Sequence, residues 1–220
     1  MGALLLIDQH NTIDRNLLIK GAWERPQIER MKQLIRNHRQ TGQEVIFLDI
    51  GAHGALYSII LAQEQLANRI IAFEPEPTNL IQLRANLFIN DMIKRIEVID
   101  KAVSDKAGRI EFFTASQRGG SRMSEYHPMS TVAERIEVES DCLDSMVYVK
   151  DKFVIAKIDV EGGELTVLAG MERTISENRC LFQIESFTDC FPALKTRMER
   201  RGCTHLETID FDHYFLKDSI

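Results

Sequence analysis

The sequence predicts an α/β protein: a mostly parallel sheet with helices on both faces and an antiparallel hairpin at its C-terminal end. Three observations carry this expectation. Apolar runs recur without period-two alternation, as strands buried on both faces do. Stretches with apolar residues at three-to-four spacing separate them, as helices crossing over a parallel sheet do. The chain has 220 residues, 44% of them hydrophobic and 27% charged, which is enough for one globular unit. A chain of this size buries roughly 70% of its unfolded surface, so it needs neither disulfide nor metal to fold.

Taken in order, the run from Arg25 to Asn37 places Ile28, Met31, Leu34 and Ile35 on one stripe of an amphipathic helix, which Thr41-Gly42-Gln43 ends. Val45 to Gly51 (VIFLDIG) reads as the first buried strand, and Tyr57 to Ala67 as the helix after it. Arg69 to Pro77 (RIIAFEPEP) is the second strand; Thr78 is expected to cap a helix carrying Leu80, Leu83 and Leu87. Arg95 to Val103 is read as a third strand, Phe153 to Glu164 as a fourth, and Cys180 to Ser186 as a fifth. A helix through Leu165, Leu168 and Met171 joins the last two. Arg109 to Thr114 and Arg135 to Glu139 alternate like an antiparallel pair, flanking a long polar stretch at 115–134 that is either disordered or functional. THLETI and HYFLKD, near the end, read as a hairpin closing one sheet edge.

Composition narrows the function. Lys plus Arg is 27 against 33 Asp plus Glu, a net charge of −6, which is a poor footprint for a phosphate backbone, so no nucleic-acid partner is expected. The four cysteines form no C-x-x-C pair and read as mostly buried thiols of a reducing compartment. The opening MGALLLIDQHNTIDR has five apolar residues in a row but no basic n-region and no cleavage site. Gly2 lacks the Ser or Thr at position 6 of a myristoylation signal. A cytoplasmic protein with no membrane partner is expected.

Crossover connections put every parallel strand's C-terminal end on one sheet edge, where ligands sit in such folds. The first exit, Asp49-Ile50-Gly51-Ala52-His53-Gly54, is a glycine turn that lets a ligand approach the backbone. It lacks the third glycine of the dinucleotide fingerprint, because Leu56 stands there. That suits a nucleoside without a pyrophosphate. Glu74 ends the second strand at about the 20-residue spacing of a ribose-binding acid; facing water is the alternative.

The blocks DIGAHGALYSIILA, IAFEPEPTNLIQLRANLFIN, KAVSDKAGRIEFF, KIDVEGGELTVLAG and QIES together resemble the FkbM family of S-adenosylmethionine-dependent methyltransferases, over roughly Glu24 to Glu185. The resemblance implies a Rossmann-like class I methyltransferase fold with a seven-stranded sheet. Residues 43–220 would form that domain, with a loop or hairpin insertion at about 109–139, and residues 1–42 a helical extension packed on it. It implies O-methylation of a hydroxyl on a sugar or natural-product-type small molecule. It also implies that Asp49, Gly51 and Gly54 hold the methionine end of the cofactor, with Ala52 and His53 in the same turn. Glu74, followed by Pro75, would take the ribose, and Val103, Ser104 and Asp105 would lie near adenine. Asn often stands in the family where this chain has His53. Glu24, after Trp23, is expected near the cofactor's ammonium group. On these grounds Gly51→Val is expected to abolish cofactor binding and leave the fold largely intact.

A hydroxyl acceptor must lose a proton, so a base or a metal is needed nearby. Strand alternation puts Lys157, Asp159 and Glu161 on one side. Asp159 and Glu161 are the candidate catalytic acids, against a structural Lys157–Asp159 pair. With Glu185 they are also a possible divalent-cation site, which is not favoured. Glu164 is read as a helix N-terminal charge. His127, beside Tyr126 in the long loop, is a third catalytic candidate. Two other function classes compete: an NAD(P)-dependent Rossmann-type reductase, and a catalytically inert cofactor-binding or interaction module.

Overall fold

The computed structural model describes residues 2–8, 12–21, 23–115, 122–123 and 132–219. Among them eleven strands form two sheets, with eight helices around them. The larger has seven strands in the order β10-β11-β9-β8-β1-β2-β3. These are β1 (Val45–Ile50), β2 (Arg69–Phe73), β3 (Ile96–Ile99), β8 (Phe153–Ile158), β9 (Arg179–Glu185), β10 (Thr204–Ile209) and β11 (Asp212–Lys217). The first five run parallel, and β11 pairs antiparallel with both β9 and β10. The C-terminal hairpin therefore does close one edge.

Burial on both faces explains the unbroken apolar runs. Every residue of β1 and β8 is buried, and their side chains alternate between two cores. Val45, Phe47, Phe153 and Ile155 pack on one face under α2 (Arg25–His38) and α3 (Leu56–Gln63). Ile46, Leu48, Ile50, Val154, Ala156 and Ile158 pack on the other, with Leu168 of α6 (Glu164–Ala169), Ile175 of α7 (Glu172–Ser176) and Leu194 of α8 (Phe191–Glu199). Two further helices are α1 (Thr12–Lys20) and the four-residue α5 (Leu143–Met146).

Several element expectations need correction. The third predicted strand is broken: β3 stops at Ile99, and Ala102–Val103 form β4 in the second sheet, of order β4-β7-β5-β6. That sheet contains the predicted antiparallel pair, β5 (Gly108–Ala115) with β7 (Val132–Asp141), and the two-residue β6 (Arg122–Met123). Helix α4 (Pro77–Ile89) is capped by Glu76, whose carboxylate accepts from Thr78 N at 3.0 Å and Asn79 N at 2.6 Å. Thr78 lies inside the helix because Pro77 already supplies the fixed φ of its first turn. All four cysteines are unpaired; Cys180 and Cys203 are buried, Cys142 and Cys190 half-buried. No helix among the described residues is long and apolar enough to cross a membrane.

Chain order reverses at β1: β2 and β3 lie on one side and β8 and β9 on the other. In parallel sheets that reversal opens a crevice at the strands' C-terminal ends.

Candidate active site

The crevice holds two adjoining hollows that share Gly51, His53 and Asp159. The first encloses about 690 Å³ including its open mouth, with Phe73, Val103 and Phe112 as apolar walls and Glu74 and Pro75 at its base. The second, about 510 Å³, is covered by Leu5, Leu17 and Trp23 from the N-terminal segment and lined by Glu24, Asp49, Tyr57, Lys157 and Asp159.

Gly51 is needed for a reason the sequence did not reveal. It has φ +82°, and a Cβ there would lie 1.8 Å from the carbonyl oxygen of Asp159. The β1 and β8 exits are pressed together, with Asp159 N donating to Ile50 O at 2.9 Å. Gly51→Val therefore strikes the backbone of the fold before it strikes any ligand, which corrects the expectation of an intact variant. His53 and Ala55 also adopt left-handed backbone, at φ 48° and 61°. Strained non-glycine positions of this kind persist where surrounding structure over-determines them, as at ligand sites.

The turn strain positions His53 N to donate to Glu74 Oε2 at 2.8 Å. Glu74 Oε1 accepts from Glu76 N at 2.9 Å and Asn79 Nδ2 at 3.3 Å. A carboxylate has about four acceptor sites, so one direction remains for a donor in the hollow. Burial outweighs these three hydrogen bonds and pushes the Glu74 carboxyl up to about 7. Asp49 is buried too and accepts from Ser58 Oγ at 2.6 Å and Ser58 N at 3.2 Å, so it braces the turn to the start of α3. Ala52 is buried, with its N–H on Phe73 O; Gly54 O accepts from Asn86 Nδ2 at 2.9 Å.

Glu24, on the bend between α1 and α2 with φ 45°, accepts from Tyr57 OH at 2.8 Å. Gln183 Nε2 donates to Tyr57 OH at 2.9 Å and to Asp212 Oδ1 at 2.7 Å. Lys157 Nζ sits 2.7 Å from Asp159 Oδ2 and 4.8 Å from the centre of the Tyr57 ring. The Lys157–Asp159 pair anticipated as an alternative is thus present. Burial opposes both charges, but the neighbours together outweigh it: Lys157, with Glu185 and His53, holds the Asp159 carboxyl below its usual range, and Asp159, with Glu24, Tyr57 and Asp212, holds the Lys157 ammonium above its own.

The structure regroups the predicted acids. β8 ends at Ile158 and Glu161 has φ 56°, so strand alternation does not reach Glu161. Glu161 lines the Glu74 hollow only, whereas Asp159 lines both. Among the described residues, Glu24, Asp159 and Glu185 are the acids whose oxygens lie within 4.8 Å of one another and so have the geometry for a cation. Glu24 thus takes the place expected of Glu161 in that group. Glu164 begins α6 and accepts from Gly162 N at 2.7 Å, as a helix N-terminal acid does. Val103 lines the first hollow, but Ser104 is buried outside it and Asp105 borders a different surface depression. The chain turns away after β4 because Ser104 N bonds to Asp141 O in the second sheet. His127 and Tyr126 lie outside the described residues.

Residues 49–214 match the model of the methyltransferase FkbM domain, most of the chain. The chain belongs to the FkbM methyltransferase family. It is similar to the 2-O-methyltransferase NoeI of Sinorhizobium fredii (strain NBRC 101917 / NGR234), 25% identical over 157 residues. That match covers 62% of this chain and spans only 61% of the relative's length. Among solved structures, the methyltransferase FkbM from Methylobacillus flagellatus KT aligns over 95% of this chain and 60% of its own, at 17% identity and TM-score 0.53. An rRNA methylase from Streptococcus thermophilus aligns over 89% and 96%, at 14% identity and TM-score 0.51. These likenesses establish the class I methyltransferase fold.

Proposed function

We propose that this FkbM protein is an S-adenosylmethionine-dependent O-methyltransferase acting on a hydroxyl of a sugar or natural-product-type small molecule. The observation that carries the reading is the pairing of two hollows across the Gly51 turn, one built for a nucleoside and one for a cationic end. The first offers apolar walls and Glu74 as a ribose acceptor; the second offers Glu24 and Asp49 around a region where an ammonium group is welcome. When bound, the cofactor supplies an electrophilic methyl group on a positively charged sulfur. The protein's part is to hold the acceptor hydroxyl in line and to accept its proton. Asp159, common to both hollows, is our choice for the carboxylate nearest the transfer; Glu161 we place on the cofactor side.

Acids lining both hollows, against Lys101 and Lys157, favour a neutral acceptor and disfavour a phosphate backbone. We place the protein in the cytoplasm. The family assignment sets the reductase alternative aside, and turnover separates an enzyme from an inert relative. Isothermal titration should show binding of S-adenosylmethionine and S-adenosylhomocysteine and none of NADH, and methyl transfer should be detected on a panel of methyl glycosides. NADH binding without S-adenosylhomocysteine binding would end this reading.

A further inference from the structure

Ahead of α1 the chain crosses α4 as a strap, and three side-chain amides receive it. Gln82, Asn86 and Asn90 stand four residues apart along α4 and its C-cap, so they share one face at steps of about 6 Å. An extended chain repeats every two residues at about 6.6 Å. The strap has that form, with Ala3 and Leu5 half-buried and Leu4 and Leu6 exposed. Leu4 N donates to Asn90 Oδ1 at 3.0 Å, and Leu4 O accepts from Asn90 Nδ2 at 2.7 Å. Two residues on, Leu6 N donates to Asn86 Oδ1 at 2.7 Å, and Leu6 O accepts from Gln82 Nε2 at 2.8 Å. The strap thereby lays Leu5 on the second hollow, which Leu17 and Trp23 also cover.

Asn86 differs from the other two amides. It is buried, although asparagine is a weaker helix former than alanine and a buried amide is costly unless paired. Both of its ends are paired: Oδ1 holds the strap, while Nδ2 donates to Gly54 O at 2.9 Å. Those partners fix the amide's orientation, because an N–H must face Oδ1 and a carbonyl must face Nδ2. Gly54 leaves room for the contact, since a Cβ there would lie 3.1 Å from Asn86 Nδ2. One side chain thus ties the strap over the second hollow to the glycine turn that lines it.

We propose that Asn86 is a positioning residue that couples closure of the N-terminal strap to seating of the cofactor on the glycine turn. This rests on the methyl-transfer reading. With the strap docked, Leu6 N–H fixes the Asn86 amide, the amide fixes the Gly54 carbonyl, and the turn is preformed for its ligand. Coupling between two binding events is reciprocal, so the factor by which the docked strap tightens the cofactor is the factor by which the cofactor tightens the strap. The hollow is then shut most firmly when a methyl donor is inside, which shields the transfer from water.

The link can be cut from the strap side without touching Asn86. Leu6→Pro removes the donating N–H of an exposed residue, whereas Leu6→Ala keeps it. With no ligand present, amide exchange followed by NMR should quicken roughly fivefold at His53 and Ala55 of the turn in Leu6→Pro. Leu6→Ala should leave both amides unchanged, and Leu48 in β1 should exchange as in the wild type in either variant. Affinity for S-adenosylhomocysteine, read by emission of the sole tryptophan, Trp23, should weaken roughly fivefold in Leu6→Pro alone. In the wild type, S-adenosylhomocysteine should slow exchange of the Leu6 amide by about the same factor. Asn86→Asp keeps an acceptor for Leu6 N–H but loses the donor to Gly54 O, and that slowing should vanish there. Wild-type turn exchange and affinity in Leu6→Pro, or an equal loss in Leu6→Ala, overturns the coupling. Slowing of Leu6 in Asn86→Asp to the wild-type extent shows that the strap meets the ligand directly, and overturns the role of Asn86. Failure of the wild type to bind S-adenosylhomocysteine overturns the methyl-transfer reading instead, and turn exchange in Leu6→Pro then decides the strap–turn link by itself.

Discussion

Gly51 and Glu74 act on different quantities, although both stand at the same crevice. At Gly51 a side chain meets the Asp159 carbonyl and a left-handed φ. Strain at such a backbone together with overpacking costs about 3 kcal/mol or more. Gly51→Val should therefore lower the melting temperature by roughly 6–12 °C in a chain of this size. A variant that melts with the wild type would show that the β1 and β8 exits can separate. Glu74 concerns the ligand. Its folded pKa, about 7, lies above its unfolded value, so its neutral form favours the fold at low pH. That contribution fades as pH rises through about 7, while the carboxylate needed for ribose hydroxyls appears. Affinity for S-adenosylhomocysteine should thus tighten between about pH 6 and 8, and Glu74→Gln should flatten the dependence. Glu74→Ala should weaken binding by roughly ten- to a hundred-fold, as loss of hydrogen bonds to a charged group does. A loss under twofold would remove Glu74 from the ribose.

At the level of elements, the β2–α4 joint has two acids with separate tasks two residues apart. Glu76 caps α4 through the N–H groups of Thr78 and Asn79, while its own N–H holds Glu74. Glu76→Ala removes the cap but leaves that backbone donor in place. It should cost about 1 kcal/mol of stability, or roughly 2–4 °C in melting temperature. Cofactor affinity should stay near wild type. A large affinity loss with unchanged melting would instead make Glu76 a ligand-binding acid.

Across the whole molecule, the N-terminal segment ties itself to α4. Leu4 N and O bond Asn90, Leu6 N bonds Asn86 Oδ1, and Gln82 Nε2 reaches Leu6 O. This places Leu5, Asp14 and Leu17 on the second hollow. Of the described residues in the N-terminal segment only Ala3 and Leu5, both half-buried, pack against a core, and the buried residues of both cores come from the rest of the chain. Removing residues 1–21 should keep the circular dichroism of the sheet and weaken S-adenosylhomocysteine binding by roughly tenfold, about 1.4 kcal/mol. Unchanged affinity would show that the segment covers the hollow without holding its contents.

The sequence by itself determined the parallel sheet, its closing hairpin and the exits that carry the site, because burial on both faces leaves unbroken apolar runs and crossovers align the strand ends. Glu74 and the glycine turn were legible for the same reason: their positions follow from one strand and the turn after it. Tertiary structure decided what depends on which strands lie side by side. The order β9-β8-β1 brought Glu185 and Asp159 together and pressed Gly51 on the Asp159 carbonyl. The α1–α2 bend delivered Glu24 to the same acids from far away in sequence. Alternation misled at Glu161, because a period-two pattern holds only while the strand does, and β8 ends three residues earlier at Ile158. Val103 of β4 lines the first hollow, while Ser104 and Asp105 beyond it do not, which only the placement of the second sheet decides. Local pattern fixes a residue's element and face; only the packing of distant segments fixes which charges share a site.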